Sequence, residues 1–270
     1  MPWRTGGADA DFASGEGGIV QGGSCYRRTG PLPEECACPM PLSPEFESLI
    51  AQSRWSAGLS ADALARVRQE AFERQFPAGA VVCHRGTPVD HWLGVIEGLV
   101  KVDTVSRDGR PTTFAGVPAG AWFGEGAVLR SDPRPYSVVA VRASRVAFVP
   151  RSTFEWLVDH SRSFSRFVID QLNIRCGYYV ALVENLRLND AAVRVAFCLS
   201  EMFNPQLYPA TGTTLEMSQE EIGRLSGLSR QNTNRALREL AAAHLLSVSY
   251  GSVQILDLEG LRHFVRGHGA

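Results

Sequence analysis

The stretch Ser218–Leu240, SQEEIGRLSGLSRQNTNRALREL, carries the strongest structural signal in the chain. Ser218 followed by Glu221 forms a capping box, which predicts the start of a short helix. Gly227 permits a sharp turn after that helix, and Ser229 can cap a second one. Two helices joined by a short turn that contains glycine form a helix-turn-helix unit. The pattern therefore predicts such a unit near the carboxyl end, followed by two strands, Leu246–Tyr250 and Ser252–Leu256, that form a wing around Gly251.

The second predicted helix has an apolar face and a polar face. Its inward face is formed by Thr233, Ala236, Leu237 and Leu240, and its outward face by Arg230, Gln231, Asn234, Arg235 and Arg238. Arginine suits bidentate contact with guanine, and glutamine or asparagine suits adenine. Ser229 and Asn232, together with the N–H groups of the helix start, are placed to hold phosphates. We therefore predict binding to double-stranded DNA; the alternative is an ordinary helix pair with a solvated basic face.

The composition limits the function classes. The 270 residues are 44% apolar and 20% charged, and 27 basic residues balance 28 acidic ones. The net charge of −1 means that nucleic-acid binding must come from local clustering of charge. No apolar run approaches the length of a membrane span, and the N-terminus lacks the apolar core of a secretory signal. We therefore expect a cytoplasmic protein with no membrane partner.

The central part of the chain predicts a β-rich domain. From Ser43 to Phe76 the apolar spacing is helical, and beyond Pro77 it changes to short strands broken by glycine and proline. The predicted strands are Val81–Cys83, Trp92–Ile96, Leu99–Val105, Thr112–Val117, Trp122–Phe123, Ser137–Val141 and Val146–Val149. Asp108-Gly109 is a hairpin signal. Many short strands with regular turns are typical of a β-roll or jelly roll.

A long helical run follows, from about Ser161 to Leu188. Its apolar seam steps by four and three residues, a coiled-coil spacing. The seam is formed by Val168, Leu172, Arg175, Tyr179, Leu182 and Leu186, with Arg175 as a polar interruption. At 1.5 Å per residue such a helix is about 40 Å long, more than one small domain needs. The pattern favours a homodimer seam, and the alternative is a long helix packed on the roll.

These patterns together predict an α+β protein with four parts. Residues 1–40 are rich in glycine and proline and are expected to form a disordered tail. Residues 41–150 form the β-roll effector domain, 151–188 the dimerisation helix, and 189–270 the winged helix-turn-helix domain, whose first helix starts at Asn189-Asp190. Met40 resembles a natural start, which raises the hypothesis that residues 1–39 are not translated.

From about residue 43 onward the chain resembles the Crp/Fnr family of bacterial transcription regulators. The resemblance is carried by Glu221-Ile222-Gly223, Gly227-Leu228-Ser229-Arg230-Gln231 and Asn234-Arg235, and in the roll by Pro77-Ala78-Gly79, Ile96-Glu97-Gly98 and Phe123-Gly124-Glu125. It implies a homodimer that binds a palindromic operator, with RNA polymerase as a further partner if the protein is an activator. It also implies that Arg230, Gln231 and Arg235 read bases, and that an effector or redox signal in the roll modulates DNA binding.

The effector site departs from the family pattern. Cyclic-nucleotide-binding members use Gly-Glu for the ribose and Arg-Ser for the phosphate. Here Gly124, Glu125 and Arg134 match, but Pro135 replaces the serine and so removes a hydroxyl and an N–H. Tyr179-Val180 replaces the hydroxylated pair that meets the adenine, and Tyr179 could fill the cavity. The effector is therefore left unknown, and cAMP is not expected. The alternative role for Glu125 and Arg134 is a structural ion pair.

The cysteines and histidines suggest other ligands and functions. Cys25, Cys36 and Cys38 with Cys83 could supply four thiolates, but their spacing lacks the family's Cys-x2-Cys, so an iron–sulfur cluster is not expected. Cys176 and Cys198 are interpreted as small core residues. His84 and His91 could ligate haem or a metal, yet no His-x-His pair indicates a cupin-type enzyme, and we expect neither metal site nor enzyme. The remaining alternative is a cyclic-nucleotide-type module that regulates a protein partner.

Overall fold

The computed structural model describes residues 42–105, 111–130, 132–187, 190–209 and 212–267. The predicted tail, with Cys25, Cys36 and Cys38, and the Asp108-Gly109 turn lie outside these ranges. The first elements are α1 (Pro44–Gln52) and α2 (Ala61–Glu70), separated by a 3-10 turn at Ser56–Gly58. Both helices begin after a serine whose hydroxyl accepts a backbone N–H, Ser43 for α1 and Ser60 for α2.

The strands of the roll form two four-stranded antiparallel sheets. Their bounds are β1 (Phe72–Phe76), β2 (Val81–Cys83), β3 (His91–Glu97), β4 (Leu99–Val105), β5 (Pro111–Pro118), β6 (Trp122–Phe123), β7 (Ser137–Ala140) and β8 (Ser144–Pro150), and the short helix α3 (Glu125–Arg130) follows β6. One sheet has the order β1-β8-β3-β6 and the other β2-β7-β4-β5. Apolar residues of both sheets enclose a common core. The predicted roll is therefore present.

The segment Phe72–Phe76 corrects one expectation. Its spacing predicted the end of a helix, but it is a strand that pairs with β8 in the register Phe72↔Phe148. The rings of Phe72 and Phe148 stack with centroids 5.1 Å apart. The physical reason is tertiary, because backbone pairing and stacking with a distant strand outweigh the local helical pattern.

The predicted dimerisation segment 151–188 contains two helices, α4 (Arg151–His160) and α5 (Arg162–Arg187). The break comes at Ser161, whose N–H donates to Leu157 O and whose hydroxyl accepts from Phe164 N. Phe154 of α4 and Phe164 of α5 are fully buried in a core with tryptophans of the roll. Helix α4 therefore belongs to the roll's own core, and α5 alone is the long helix.

The C-terminal domain contains the predicted helix-turn-helix and wing, with additional elements. They are α6 (Ala191–Glu201), β9 (Thr214–Leu215), α7 (Gln219–Ser226), α8 (Arg230–Ala242), β10 (Leu246–Ser249), β11 (Ser252–Ile255) and α9 (Leu258–Gly267). Asp190 caps α6 by accepting two backbone N–H groups. The wing strands β10 and β11 pair antiparallel, and β9 adds a third strand. None of the described helices combines the length and apolarity that a membrane span requires.

The roll and the C-terminal domain pack against each other. Leu207 and Tyr208, which follow α6, are buried in the roll core, and Leu99 of the roll is buried in the core of the C-terminal domain. Arg142 bridges the domains through an ion pair with Glu216 at 2.7 Å. The C-terminal domain therefore packs against the roll through a shared apolar interface.

Candidate nucleic-acid interface and effector cavity

The capping box at Ser218 starts α7 as predicted. The Ser218 N–H donates to Glu221 Oε2 at 2.9 Å, and Ser218 Oγ accepts from the Glu221 N–H at 3.3 Å. Gly227 ends the helix with φ 63° and ψ 37°, a left-handed conformation that favours glycine. Arg194 of α6 donates to the carbonyls of Ser226 and Gly227 at 2.6 and 3.0 Å. Arg194 stabilises the turn, and no local sequence pattern predicted this contact.

Close packing fixes the angle between α7 and α8. A Cβ added to Gly223 would lie 2.7 Å from Thr233 Oγ1 and 3.2 Å from Leu228 O. Thr233 is fully buried and donates its hydroxyl to Ser229 O. Ala236, Leu237 and Leu240 are buried beside it, as predicted for the inward face of α8. The outward face of α8 is therefore held rigidly relative to the rest of the domain.

The outward face of α8 is exposed and basic. Arg230, Gln231, Asn232, Arg235 and Arg238 are exposed, and with Asn234 they surround a depression of about 590 Å³. Among the described residues, none forms an ion pair with these three arginines. Guanidinium groups without a protein partner remain available to phosphates and base edges.

Asn234 and Ser229 have protein contacts of their own. Asn234 is half-buried, and its Nδ2 donates to Gln219 Oε1 of α7 at 2.8 Å. It therefore links the two helices, in contrast to the freely outward position that the sequence pattern predicted. The Ser229 hydroxyl oxygen accepts the Asn232 N–H at 3.3 Å, which caps α8.

The wing ends in an aromatic residue that the sequence analysis did not single out. Tyr250 is fully exposed, and the following Gly251 has φ 73°. Neither wing strand nor their turn contains a basic residue. Among the described residues of α8 and the wing, the positive charge therefore comes from the arginines on the outward face of α8.

The roll contains a cavity of about 1010 Å³ that opens beside α5. It is lined by Val102, Ala115, Val117, Phe123, Gly124, Glu125, Gly126, Ala127, Arg130, Asp132, Pro133, Pro135, Tyr136, Leu172, Arg175, Cys176, Tyr179, Val180 and Val183. Three of the four predicted pocket residues, Gly124, Glu125 and Tyr179, are among them. Tyr179 is 42% exposed at the wall, so it lines the cavity and does not fill it.

Glu125 pairs with an arginine of the long helix. Arg175 Nε donates to Glu125 Oε1 at 2.6 Å, and Arg175 Nη2 donates to Trp122 O at 2.8 Å. Burial opposes the charged form of Arg175, but the Glu125 carboxylate together with Tyr208 and Tyr179 outweighs this effect, and the pKa of the guanidinium is raised above its ordinary value. The ion pair weighed between Glu125 and Arg134 is therefore replaced by one between Glu125 and Arg175.

Arg134 is buried beside the cavity without a carboxylate. It is 3% exposed, and its Nε and Nη1 atoms have no hydrogen-bond partner. Nη1 lies 3.8 Å from the position that a Cβ would take on Gly124, and the guanidinium carbon lies 5.8 Å from the ring centre of Tyr136. Burial raises the pKa of the Tyr136 phenol, which keeps that hydroxyl protonated.

The exposed apolar stripe of α5 differs from the predicted seam. Val168 is 3% exposed inside the roll's own core, and Arg175 is engaged by Glu125. Leu182 is half-buried, and the side chain of Leu186 lies outside the described part. The exposed residues of the stripe are Ile169, Leu172, Cys176, Tyr179, Val180 and Val183. The stripe shares Leu172 and Tyr179 with the predicted seam, and apart from the adjacent pair Tyr179-Val180 its members are three or four residues apart.

The described cysteines and histidines do not form a common cluster. Cys198 is buried, as predicted, and burial raises the pKa of its thiol to about 12. Cys176 is exposed on α5, so its assignment to the core was wrong. His91 lies edge-on to Phe72 and Phe148, and burial lowers its pKa. Within the described ranges, no group of three His, Cys, Asp or Glu side chains is arranged to hold a metal.

Comparisons with known proteins agree with this architecture. Residues 73–161 match the family "Cyclic nucleotide-binding domain", and residues 193–264 match the "Crp-like helix-turn-helix domain". The "CRP-like cAMP-activated global transcriptional regulator" of Mycobacterium tuberculosis is 27% identical over 225 residues, which cover 82% of this chain and all of that protein. The transcriptional regulator SdrP of Thermus thermophilus is 27% identical over 199 residues, covering 72% of this chain and 94% of that protein.

Among solved structures, FixK2 from Bradyrhizobium japonicum has a TM-score of 0.60 at 21% identity, over 72% of this chain and 96% of that one. The fold, the order of the domains and the exposed basic helix together define the class of this protein. It is a winged helix-turn-helix regulator with a cyclic nucleotide-binding-like roll. The chain belongs to the Crp/Fnr family of transcription regulators.

Proposed function

We propose that the protein is a homodimer that binds a palindromic DNA operator and regulates transcription in response to a signal received in the roll. The observation that carries the proposal is the exposed face of α8, where Arg230, Arg235 and Arg238 have no ion-pair partner among the described residues. Gln231 lies on the same exposed face, near the start of the helix, which is the part of a recognition helix that reaches base edges.

The dimer is supported by the apolar stripe of α5. Ile169, Val180 and Val183 are 54%, 64% and 52% exposed, and they recur at coiled-coil spacing on a helix of 26 residues. A second copy of the same helix would cover this stripe. Two-fold symmetry then requires a palindromic site with half-sites about one helical turn, roughly 34 Å, apart.

Signal reception is supported by the position of the cavity. Its wall is shared between the roll and α5, and Arg175 of α5 is anchored to Glu125 of the roll. A ligand with different affinity for two positions of α5 would shift the equilibrium between them and so move the two recognition helices. In this role the protein would act in the cytoplasm, and RNA polymerase would be a partner at activated promoters.

Selection from a pool of random DNA duplexes tests the proposal. The full chain is expected to enrich a two-fold symmetric sequence. The variant Arg230→Ala/Arg235→Ala is expected to lose that enrichment, whereas the control Arg54→Ala, an exposed arginine after α1 and outside the helix-turn-helix, is expected to keep it. Enrichment of no sequence, or equal enrichment by the double variant, would contradict sequence-specific binding through α8.

A further inference from the structure

The wall of the cavity is mainly apolar. Aliphatic and aromatic side chains come from the strands and from α5, among them Val102, Val117, Phe123, Leu172 and Val180. Among the described lining residues there is no serine, threonine, asparagine or glutamine. A site that recognises a polar base or sugar does so through placed polar groups, since these discriminate strongly against analogues that lack the matching group. This wall is therefore suited to an apolar body.

Most of the charge at the cavity is already paired. Glu125 accepts from Arg175 at 2.6 Å, and Arg130 at the mouth pairs with Asp132 at 2.7 Å. The Arg130–Asp132 pair is well exposed to solvent, with side chains 77% and 59% accessible. Neither pair requires a ligand for neutralisation.

Arg134 is different, because its charge is buried and two of its nitrogens lack partners. Arg134 lies behind the lining residues, and Gly124 and Tyr136, which its guanidinium approaches, both line the cavity. Burial of a cation without an anion is costly, so the structure favours an anion at this position.

The neighbouring groups limit the kind of anion. Pro135 has neither an N–H nor a hydroxyl, so the residue beside Arg134 offers no second donor for the two free oxygens of a phosphodiester. The Tyr136 hydroxyl, whose pKa burial raises, offers one neutral donor. One guanidinium and one phenol are sufficient for the two oxygens of a carboxylate, and the apolar wall favours a carboxylate with an apolar body over a nucleotide.

We propose that the cavity binds a small organic acid with an apolar body, an aliphatic or aromatic carboxylate, whose carboxylate group pairs with Arg134. The proposal deepens the proposed function, on which it rests for the role of the acid as effector. It replaces the cyclic nucleotide that the domain family suggests with a different class of ligand.

Calorimetry on the full-length protein tests the ligand class with matched probes. Octanoate is compared with 1-octanol, and phenylacetate with 2-phenylethanol, so that each pair differs in the charged group; cAMP is the competing ligand. We expect at least one acid to bind about 10–100-fold more tightly than its alcohol, as a charge-assisted hydrogen bond predicts.

Two variants locate the charge. In Arg134→Gln the preference for the acid is expected to vanish while alcohol binding persists, and that persistence shows that the cavity is still folded. In the control Arg130→Gln, which removes the same charge at the exposed mouth, the preference is expected to remain. Equal binding of acid and alcohol, an unchanged preference in Arg134→Gln, or binding of cAMP alone would overturn the proposal.

Measuring sequence-selective DNA binding alongside acid binding distinguishes a failure of the ligand class from a failure of the proposed regulatory function. Selective DNA binding without acid binding overturns the ligand class and leaves the regulator intact. Acid binding without any selective DNA binding supports the ligand class and overturns the regulatory function.

Discussion

Arg175 on the long helix and Glu125 at the start of α3 form a buried ion pair, with Nε and Oε1 2.6 Å apart. Their side chains are 18% and 4% exposed. The same guanidinium holds the Trp122 carbonyl, so one residue ties α5 to the loop that borders the cavity. We therefore expect a ligand that displaces Glu125 to act directly on the helix that we propose as the dimer interface.

Loss of one partner of this pair is expected to destabilise the protein. Glu125→Gln leaves the Arg175 charge buried without compensation, and the free energy of unfolding in urea should fall by about 3–5 kcal/mol. Arg166→Gln serves as the control, because its pair with Asp170 is exposed and should contribute less than about 1 kcal/mol. Equal effects of the two substitutions would show that the buried pair has no special role.

Gly223 is expected to be required for the packing of α7 on α8. In Gly223→Ala the new Cβ would meet Thr233 Oγ1 at 2.7 Å, and the helices must separate. The free energy of unfolding should fall by about 1–3 kcal/mol, with weaker DNA binding. At Gly177 a Cβ would meet no atom from outside its own turn of the helix within 4 Å, so Gly177→Ala should instead stabilise α5 by about 0.5–1 kcal/mol. Thermal unfolding distinguishes the two, and stabilisation by Gly223→Ala would refute the close approach.

Charge on the apolar stripe is expected to dissociate the dimer. Ile169→Glu/Val183→Glu places carboxylates at two exposed apolar positions, and the dimer dissociation constant should rise at least about 100-fold. Asn173→Glu, also on an exposed part of α5 but outside the stripe, should change it little. Sedimentation equilibrium measures both. A dimer of unchanged affinity in the double variant would place the interface elsewhere.

Cys198 is expected to contribute to alkaline unfolding. Burial raises the pKa of its thiol from 9.0 to about 12 in the folded state, so between those values the unfolded chain loses a proton that the folded chain retains. Stability should therefore fall as pH rises from 9 towards 12, and less steeply in Cys198→Ala. Tyr178, whose pKa burial also raises, keeps part of the slope. An unchanged slope in Cys198→Ala would contradict the burial effect.

Local signals in the sequence predicted the elements that local interactions determine. The capping box at Ser218, the turn at Gly227 and the cap at Ser229 each depend on residues three or four positions apart, and all three are observed. Strands β2, β4 and β6 match their predicted bounds, because short runs rich in β-branched and aromatic residues between turn residues are typical of short strands.

Features that depend on distant partners could not be predicted in the same way. The strand at Phe72–Phe76 depends on β8, and Arg175 was interpreted as an interruption of the seam because its partner, Glu125, lies in another element. The predicted seam mixes the two apolar sides of α5, since Val168 is buried in the roll's core whereas Leu172 and Tyr179 are exposed. Val168 faces the roll and Ile169 faces outward, and spacing alone cannot distinguish them.

The most direct test of the central claim, that α8 reads base edges, is the base preference of Arg235→Lys on the selected duplex. Lysine keeps the charge but not the bidentate geometry. We predict relaxed preference at one base pair in each half-site, a loss of about 1–3 kcal/mol there, and an unchanged salt dependence. A uniform loss of affinity across all sequences, or no change in preference at any position, would contradict base reading by this helix.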